Sequence, residues 1–493
     1  MPSSNQEIAE MSTLTSHCRD FYINGAWVKP KDPESFAAEN PATEEAYATI
    51  AMAGPADIDR AVDAARRAFV TYAFESQAAR VALLSRILEG CEKRAEELAR
   101  AMTIEMGAPI GLSRDGQVAC ANRAFEVTID YLRKFSFSIE RGSTRIFKEP
   151  VGVSALITPW NWPLLQIVGK VGPALAAGCT VVLKPSELAP LSGLIFAEII
   201  AEAGVPAGVF NLVNGSGPVV GQALAGHPGI DAVSLTGSTR AGVAVAREAS
   251  ASVKRVALEL GGKSPNIILP DANIEAAVRS GVEDCFNNSG QNCNALTRML
   301  VSEHQMSRAI GVAQSAAEAQ IVGDPLDPRT MLGPLANRAQ FERVQRLIEL
   351  GVSEGATLVT GGPGRPRGLT RGYYVRPTVF ANVTPGMTIA KEEIFGPVLS
   401  IMAYKSEEQA VEIANDSPYG LAANVSSGDL QRARRVAARL RVGRVTLNGA
   451  PWDCSAPFGG YKQSGYGREY GDFGIEEYLE VKSVIGFEPP SNR

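Results

Sequence analysis

Residues 152–186, GVSALITPWNWPLLQIVGKVGPALAAGCTVVLKPS, decide the fold class of this chain. Its first part, GVSALITP, is typical of a β-strand, and so is its last part, CTVVLKPS. The segment between them, PLLQIVGKVGPALAAG, predicts a helix. A strand, a helix and a second strand in this order predict two parallel strands joined by a crossover helix.

The same alternation continues along the chain. Downstream we predict strands and helices in the order LSGLIFAEIIAEAG, VFNLVNG, VVGQALAGH, DAVSLTGS and TRAGVAVAREAS. A second series starts near KSPNIILPDANIEAAVRSGVEDCF and runs to RVGRVTLNGA. Residues 135–150 alternate and turn at Arg141 and Gly142, which predicts a β-hairpin. We therefore expect an α/β protein with two parallel-sheet units and a small β element, formed by the hairpin and the last strand, EVKSVIGF.

Composition and charge argue against several classes of function. The chain has 493 residues, of which 45% are hydrophobic and 20% charged, the profile of a well-packed protein. Its net charge of −5 argues against a nucleic-acid partner, which would need a basic surface. Seven scattered cysteines fit a reducing compartment, and three isolated histidines make a metal site unexpected. We see no targeting signal and no apolar run of membrane-spanning length, and we expect a cytoplasmic protein without a membrane partner.

A cysteine in an amide-rich turn is the first candidate for chemistry. Residues 290–295, GQNCNA, place Cys293 between two asparagines, whereas cysteines are usually buried among apolar neighbours. Amide donors beside a thiol can stabilise the thiolate, which is the nucleophilic form. The turn therefore predicts a reactive cysteine.

Two motifs at the ends of predicted strands are candidates for binding a nucleotide. SLTGSTRAG (234–242) joins a strand to a helix, where backbone N–H groups can meet a phosphate, although a simple tight turn fits equally well. LKPSE (183–187) brings Lys184 and Glu187 together, and both could bond to a ribose. The alternative is a solvated loop.

Three further motifs contain candidate functional residues. TPWNWPL (158–164) sets Asn161 between two tryptophans, and a buried asparagine needs hydrogen-bond partners. ALELGGKSP (257–265) places Glu259 before a Gly-Gly turn, and EEIFGP (392–397) contains Glu393 and Phe395. Taken singly, the glutamates suit a surface and Phe395 a core. Taken together, the motifs supply the residue types that covalent catalysis with a bound nucleotide requires.

Nine motifs in order resemble those of the NAD(P)-dependent aldehyde dehydrogenase superfamily, and the resemblance runs over residues 21–486. The motifs are TPWNWPL, KPSE, PAGVFN, LTGSTRAG, LELGGKSP, GQNC, EEIFGP, NDSPYGLAA and PFGGYKQSGYGRE. The resemblance implies two open parallel-sheet, Rossmann-like domains and a small β element for oligomerisation. The implied ranges are 1–130 and 151–258 for an NAD-binding domain, 131–150 and 477–493 for the oligomerisation element, and 259–476 for a catalytic domain.

The resemblance also implies roles for residues in an oxidation of an aldehyde to the carboxylic acid, through a cysteine thiohemiacetal and a thioester. Cys293 would be the nucleophile, Glu259 the general base, and Asn161 an oxyanion donor together with the backbone N–H of Cys293. The implied cofactor positions are Lys184 and Glu187 at the adenosine ribose, Ser238 at the pyrophosphate, Glu393 at the nicotinamide ribose with Phe395 nearby, and Thr158, Trp160, Gly237 and Gly261. Lys170 and Glu469 resemble positions of a proton path.

The motifs give less direct information about the substrate, the choice of cofactor and the assembly. A carboxylate at Glu187 would repel an added 2′-phosphate, so NAD is favoured and NADP stays possible. By position, six residues resemble those that line the family's substrate tunnel: Trp162, Gln166, Asn292, Asn294, Trp452 and Phe458. The three aromatic residues among them favour an apolar or aromatic aldehyde. Trp452 could instead simply cover the surface. The family's oligomerisation element implies a homodimer or a homotetramer.

Three alternative functions stay open at this point. A coenzyme A-acylating relative would pass the thioester to a thiol, but such relatives generally lack a glutamate at the position of Glu259. A cysteine esterase would need no cofactor, but no histidine lies near Cys293 or Glu259 in the sequence. A non-catalytic protein that kept the fold is the third alternative.

Overall fold

The computed structural model describes residues 15–31 and 34–487, and strands and helices alternate along most of this length. The strands in chain order are β1 (Phe21–Ile23), β2 (Ala26–Val28), β3 (Ser35–Asn40), β4 (Glu45–Ala51), β5 (Ser138–Arg141), β6 (Thr144–Pro150), β7 (Val153–Ile157), β8 (Thr180–Lys184), β9 (Phe210–Leu212), β10 (Ala232–Thr236), β11 (Arg255–Glu259), β12 (Pro265–Ile268), β13 (Arg298–Ser302), β14 (Thr357–Thr360), β15 (Thr378–Ala381), β16 (Val398–Tyr404), β17 (Ala422–Ser426), β18 (Arg444–Leu447), β19 (Gly465–Tyr466) and β20 (Leu479–Val484).

The helices cover the faces of two of the sheets. In chain order they are α1 (Pro55–Tyr72), α2 (Gln77–Lys93), α3 (Ala95–Met106), α4 (Ala119–Lys134), α5 (Pro163–Ala177), α6 (Pro190–Glu202), α7 (Gln222–Gly226), α8 (Thr239–Ser250), α9 (Ile274–Phe286), α10 (Met306–Glu318), α11 (Arg338–Ser353), α12 (Thr388–Lys391), α13 (Glu407–Asn415), α14 (Leu430–Ala437) and α15 (Gly471–Glu476). Two π-helical segments, Leu112–Val118 and Gly217–Gly221, run directly into α4 and α7.

The first sheet contains the two predicted strands of residues 152–186. Its strand order is β19-β11-β10-β7-β8-β9-β1-β2, in which the five central strands, from β11 to β9, are parallel. Strands β7 and β8 and every residue of α5 between them are buried. Helix α5 begins at Pro163, whose fixed φ suits a first turn, and it ends at Ala177, before Gly178 with a φ of 98°.

The second sheet has the order β14-β15-β16-β13-β12-β17-β18, and all of its neighbours are parallel except β14 and β15. A third, antiparallel sheet has the order β20-β6-β5. The predicted α/β class, with two sheets of parallel strands and a small β element, is confirmed. The antiparallel strands at the sheet edges are an addition to the prediction.

The hairpin of the third sheet turns one residue later than predicted. Strand β5 includes Arg141, and the turn falls on Gly142 and Ser143, with a φ of 62° at Gly142. Part of the apolar surface is covered within the chain, because the Arg80 guanidinium lies 4.7 Å from the centre of the Phe137 ring. Ile139 and Val481, on the edge strand and on β20, stay 39% and 67% exposed.

The boundary between the two larger units differs from the predicted ranges at one place. Residues 465–476 fall in the range assigned to the second unit, yet β19 pairs with β11 in the first sheet, and α15 packs on α4 and α5. Gly465 makes this pairing possible, because a Cβ there would lie 1.9 Å from the carbonyl oxygen of Leu258. A strand of two residues has no periodicity from which a sheet could be predicted. Residues 1–14, 32–33 and 488–493 of the predicted ranges lie outside the described residues.

Two negative findings concern the described residues alone. Residues 15–31 and 34–487 include no helix that is both long and apolar enough to cross a membrane. Over the same stretch, no three acidic, cysteine or histidine side chains gather in a way that could hold a metal ion.

Candidate active site

The turn that carries Cys293 is held in a backbone conformation that most residues avoid. Asn288, Ser289 and Gly290 have φ angles of 54°, 57° and 74°, in the left-handed region. A side chain on Gly290 would not fit, because its Cβ would lie 2.1 Å from the carbonyl oxygen of Gly396. Local strain of this kind is typical of functional sites. The turn leaves the Cys293 side chain partly exposed, in the wall of a cavity.

Asn161 is bonded to this turn. Its Nδ2 donates to the carbonyl oxygen of Gln291 over 2.8 Å, and its own carbonyl oxygen accepts from Asn288 Nδ2 over 2.9 Å. The side chain is only 4% exposed. Because an amide nitrogen carries two N–H bonds, a second donor of Asn161 stays available at this turn. Asn161, the predicted oxyanion donor, thus joins the segment after β7 to the turn that carries Cys293.

The Cys293 thiol is not predisposed to ionise in the protein alone. Burial raises its pKa well above the usual value. The carboxylates of Glu393, Glu259 and Glu469 raise it further, against a smaller lowering by the backbone N–H of Asn294. The expectation that the amide-rich turn favours the thiolate is therefore not met by the turn itself, since burial outweighs the hydrogen bond. A positive charge bound near the sulfur would be needed to reverse this balance.

Glu259 ends β11 as a buried carboxyl group without a hydrogen-bond partner among the described residues. Burial raises its pKa well above the usual value, and the neighbouring carboxylate of Glu469 adds to the rise. Lys170 and Arg468 act in the opposite direction. A carboxyl group with a raised pKa is a stronger base, once ionised, than an exposed carboxylate.

Lys170 and Glu469, the two predicted proton-path residues, form a buried ion pair. The ammonium group of Lys170 donates to the Glu469 carboxylate and, over 2.9 Å, to Ser234 Oγ. Lys170 is fully buried in α5. The pair sets the electrostatic surroundings of Glu259, because its cation lowers and its carboxylate raises the pKa of that group.

Lys184 and Glu187 meet at the carboxyl end of β8. The Lys184 ammonium donates to the carbonyl oxygens of Pro185 and Gly215, both over 2.6 Å, and to Glu187 Oε2 over 3.4 Å. Burial lowers the pKa of Lys184, and Glu187 opposes this shift. The lysine thus holds the loop in place, while Glu187 is partly exposed and can reach a ligand.

Ser238 lies where β10 leads into α8, the position predicted for a phosphate. Its Oγ caps the helix by accepting from Ala241 N over 3.2 Å. A Cβ on Gly237 would lie in ordinary van der Waals contact with Leu235 and Ala241, at 3.6 and 3.7 Å. Backbone N–H groups and the positive end of the 12-residue helix are available to an anion here.

Glu393 closes over the Gly-Gly turn that follows Glu259. Its Oε1 accepts from Gly262 N over 3.2 Å, and a Cβ on Gly261 would lie 2.2 Å from its Oε2. Burial raises the pKa of Glu393 to about 7. Phe395 has a φ of 62° and packs edge-on against Trp160, with ring centres 5.4 Å apart. These four cofactor positions therefore lie together.

Thr158 follows β7 with its hydroxyl group buried and without a hydrogen-bond partner in the described part of the chain. Its backbone N–H donates to the carbonyl oxygen of Lys184 over 3.1 Å. An unpaired buried hydroxyl group is unfavourable unless a ligand completes it. The predicted cofactor residues thus lie along the carboxyl ends of the parallel strands of the first sheet, or beside them.

One cavity of about 750 Å³ reaches Cys293 and is lined by all six predicted tunnel residues, Trp162, Gln166, Asn292, Asn294, Trp452 and Phe458. Trp452 is 40% exposed, but its ring centre lies only 5.5 Å from that of Phe458. Trp162 Nε1 donates to Asn292 Oδ1 over 2.5 Å, which fixes an indole ring beside the thiol.

Other lining residues were not identified from the sequence, among them Cys120, Leu165, Arg444 and Tyr470. Tyr470 completes the aromatic group, with its ring centre 6.3 Å from Trp452 and 6.2 Å from Phe458. These residues come from α4, α5, β18 and the segment before α15. No short motif joins them, so a sequence pattern carries no signal for their convergence.

Comparison with known proteins gives a consistent result. A sequence model of the aldehyde dehydrogenase family matches residues 27–484. The chain is 53% identical to the 3-succinoylsemialdehyde-pyridine dehydrogenase of a Pseudomonas species over 471 residues, which cover 95% of this chain and 99% of that protein.

Solved structures are similar over the same length. Aldehyde dehydrogenase C from Pseudomonas syringae, a cysteine-to-alanine mutant in complex with NAD+ and octanal, has a TM-score of 0.96 and 54% identity, covering 96% of this chain and 98% of that one. The NAD+ complex of an aldehyde dehydrogenase from Bacillus cereus has a TM-score of 0.93 and 40% identity, covering 96% of this chain and 98% of that one.

Proposed function

The chain belongs to the aldehyde dehydrogenase family, and from this premise we propose that it oxidises an aldehyde to the carboxylic acid with NAD as the cofactor. Cys293 is the proposed nucleophile, Asn161 an oxyanion donor and Glu259 the general base. One observation carries the proposal. The turn with Cys293 is bonded to Asn161 over 2.8 Å through Gln291, and the unpartnered carboxyl group of Glu259 is close enough to raise the pKa of the thiol.

The residues along the first sheet fit a dinucleotide. The hydroxyl group of Thr158 lacks a partner in the described residues, and Gly237 and Ser238 lie at the positive end of α8. We propose that the cofactor is held by Thr158, Trp160, Lys184, Glu187, Gly237, Ser238, Gly261, Glu393 and Phe395. NAD would supply the acceptor for a hydride and a positive charge near the thiol.

The first chemical step forms a bond between the Cys293 sulfur and the carbonyl carbon. Burial and three carboxylates keep the thiol protonated in the protein alone, so attack depends on a nearby cation that stabilises the thiolate. The carbonyl oxygen gains negative charge and accepts from Asn161 Nδ2 and from the backbone N–H of Cys293. One such donor typically lowers the barrier by about 3–4 kcal/mol.

The second step hydrolyses the thioester that remains on Cys293 after oxidation. Glu259, once ionised, takes a proton from water, and the resulting oxygen nucleophile displaces the sulfur. Glu259 is suited to this role because its raised pKa makes its carboxylate a stronger base than an exposed one. Lys170 and Glu469 lie next to Glu259 and can pass the proton onward.

Cofactor and substrate preference are also proposed. Glu187 at the ribose position would repel a 2′-phosphate, so a higher kcat/KM with NAD than with NADP is expected. The cluster of Trp162, Trp452, Phe458 and Tyr470 favours an apolar or aromatic aldehyde. Octanal, bound by the Pseudomonas syringae relative, and the pyridine substrate in the name of the Pseudomonas relative are both of this kind.

Replacement of the cysteine tests the proposed function. Cys293→Ala should abolish NADH formation from octanal, because no thioester can form, whereas Cys18→Ala should keep the wild-type rate, because Cys18 lies outside the cavity. Absorbance of NADH with and without coenzyme A also separates hydrolysis from acyl transfer. A Cys293→Ala protein that reduces NAD at the wild-type rate would disprove the mechanism.

Assembly into a homodimer or a dimer of dimers is a separate proposal. The third sheet leaves Ile139 and Val481 exposed, and its strand β5 has one unpaired edge in the described residues. A second copy of the chain would cover both features. A cytoplasmic location likewise stays a prediction from the scattered cysteines.

A further inference from the structure

An arginine in the wall of the cavity has no role in the proposed reaction. Arg444 is the first residue of β18 and lines the same cavity as Cys293. Its guanidinium carbon lies 3.9 Å from the centre of the Trp452 ring, which fixes the side chain against the aromatic cluster.

The Arg444 guanidinium is half-buried and unpaired. Its Nη1 atom is buried without a hydrogen-bond partner, and within the described residues the side chain forms no ion pair. Burial lowers the pKa of Arg444, although the group keeps its charge. A buried donor without a partner is costly, so an acceptor that enters the cavity would be favoured here.

The cavity has two chemically different parts. Aromatic and apolar lining residues, Trp162, Leu165, Phe458 and Tyr470, belong to the same hydrophobic cluster as Cys293. The lining also includes small polar side chains that are not part of this cluster, namely Asn273, Ser280, Asn424, Ser426, Thr446 and Asn448. A substrate with an apolar segment next to the aldehyde and a polar group farther away would match both parts.

Neighbouring carboxyl groups indicate which polar group fits. Asp453 adjoins the ring on which Arg444 packs, and it raises the pKa of the guanidinium. Asp284 lies in the same cavity wall. Because these two carboxyl groups already supply negative charge, the incoming group need not carry a charge of its own, whereas Nη1 of Arg444 still lacks an acceptor.

We propose that Arg444 is a specificity-determining residue that donates hydrogen bonds to a neutral carbonyl oxygen at the far end of the aldehyde substrate. The favoured class is an aldehyde with a second, ketone-type carbonyl group several atoms from the reacting one. This inference rests on the proposed function. Arg444 contributes to binding and does not take part in the reaction at Cys293.

Three aldehydes of equal chain length test the inference: an alkyl aldehyde, one with a distal ketone and one with a distal carboxylate. For Arg444→Met we expect KM to rise about tenfold or more for the ketone, in line with a hydrogen bond to a charged group. KM for the alkyl aldehyde and kcat for both should change little. Arg444→Lys keeps the charge but loses the planar set of N–H donors, so its KM for the ketone should lie between those of the wild type and Arg444→Met.

Binding provides a readout that does not depend on turnover. The ketone should bind Cys293→Ala protein more tightly than it binds the protein with Cys293→Ala and Arg444→Met together, followed by tryptophan fluorescence. Equal loss of affinity for the alkyl and ketone aldehydes would overturn the proposal, as would an effect confined to the carboxylate. A wild-type protein that oxidises no aldehyde would instead contradict the proposed function, and the binding data would still decide the role of Arg444.

Discussion

Removal of the Asn161 side-chain amide should lower both kcat and the free energy of unfolding, and the two effects can be measured separately. In Asn161→Ala the oxyanion loses one of its two proposed donors, and kcat should fall by about 10²–10³, equivalent to about 3–4 kcal/mol. This interaction strengthens only as charge develops on the oxygen. The expected fall in kcat/KM is therefore of the same size, with KM little changed.

The same substitution removes a hydrogen bond within the protein. Asn161 Nδ2 donates to the carbonyl oxygen of Gln291 over 2.8 Å, and Gln291 is 1% exposed. An unsatisfied buried acceptor costs about 1–3 kcal/mol, so the free energy of unfolding should fall by this amount. Urea unfolding measures the loss, and steady-state NADH formation measures the kinetic effect on the same preparation.

A second buried asparagine of the first sheet provides the control. Asn211 Nδ2 donates to the carbonyl oxygens of Gly208 and Val181 over 2.8 and 3.2 Å, and the residue is absent from the cavity that contains Cys293. Asn211→Ala should lose comparable stability and keep its kcat. If Asn161→Ala retains the kcat of Asn211→Ala, the amide of Asn161 does not stabilise an oxyanion.

Four further outcomes are expected. Glu259→Gln should accumulate an acylated Cys293, visible by mass spectrometry of quenched protein. Since the pKa of Glu259 is raised, wild-type kcat should rise with pH as its carboxyl group ionises, and Glu259→Gln should lose this rise. In Lys170→Met the rise of kcat should move to higher pH, because the cation that lowers the pKa of Glu259 is gone. An unchanged dependence of kcat on pH would show that Lys170 does not control the pKa of Glu259. Mild oxidation with diamide should join Cys120 and Cys454, whose sulfur atoms lie 4.0 Å apart, and peptide mapping that finds no such link would contradict this expectation.

The identity of the reacting groups could be predicted from the sequence because each lies in a short contiguous motif. GQNC contains Cys293, TPWNWPL contains Asn161 and LELGG contains Glu259, and each motif follows or ends a predicted strand. Strand and helix order was predictable for a similar reason, because apolar periodicity is a local property of the chain. The α/β class and the two sheets followed from that order.

Only the tertiary structure decided the electrostatic state of these groups. Lys170 and Glu469 are 299 residues apart in the chain, yet their ion pair sets the surroundings of Glu259. The cavity wall likewise brings Arg444 and Tyr470 together with residues from distant helices. Burial and charge proximity depend on which segments fold against one another, so they raise the pKa of Cys293 where its amide neighbours alone would predict the opposite.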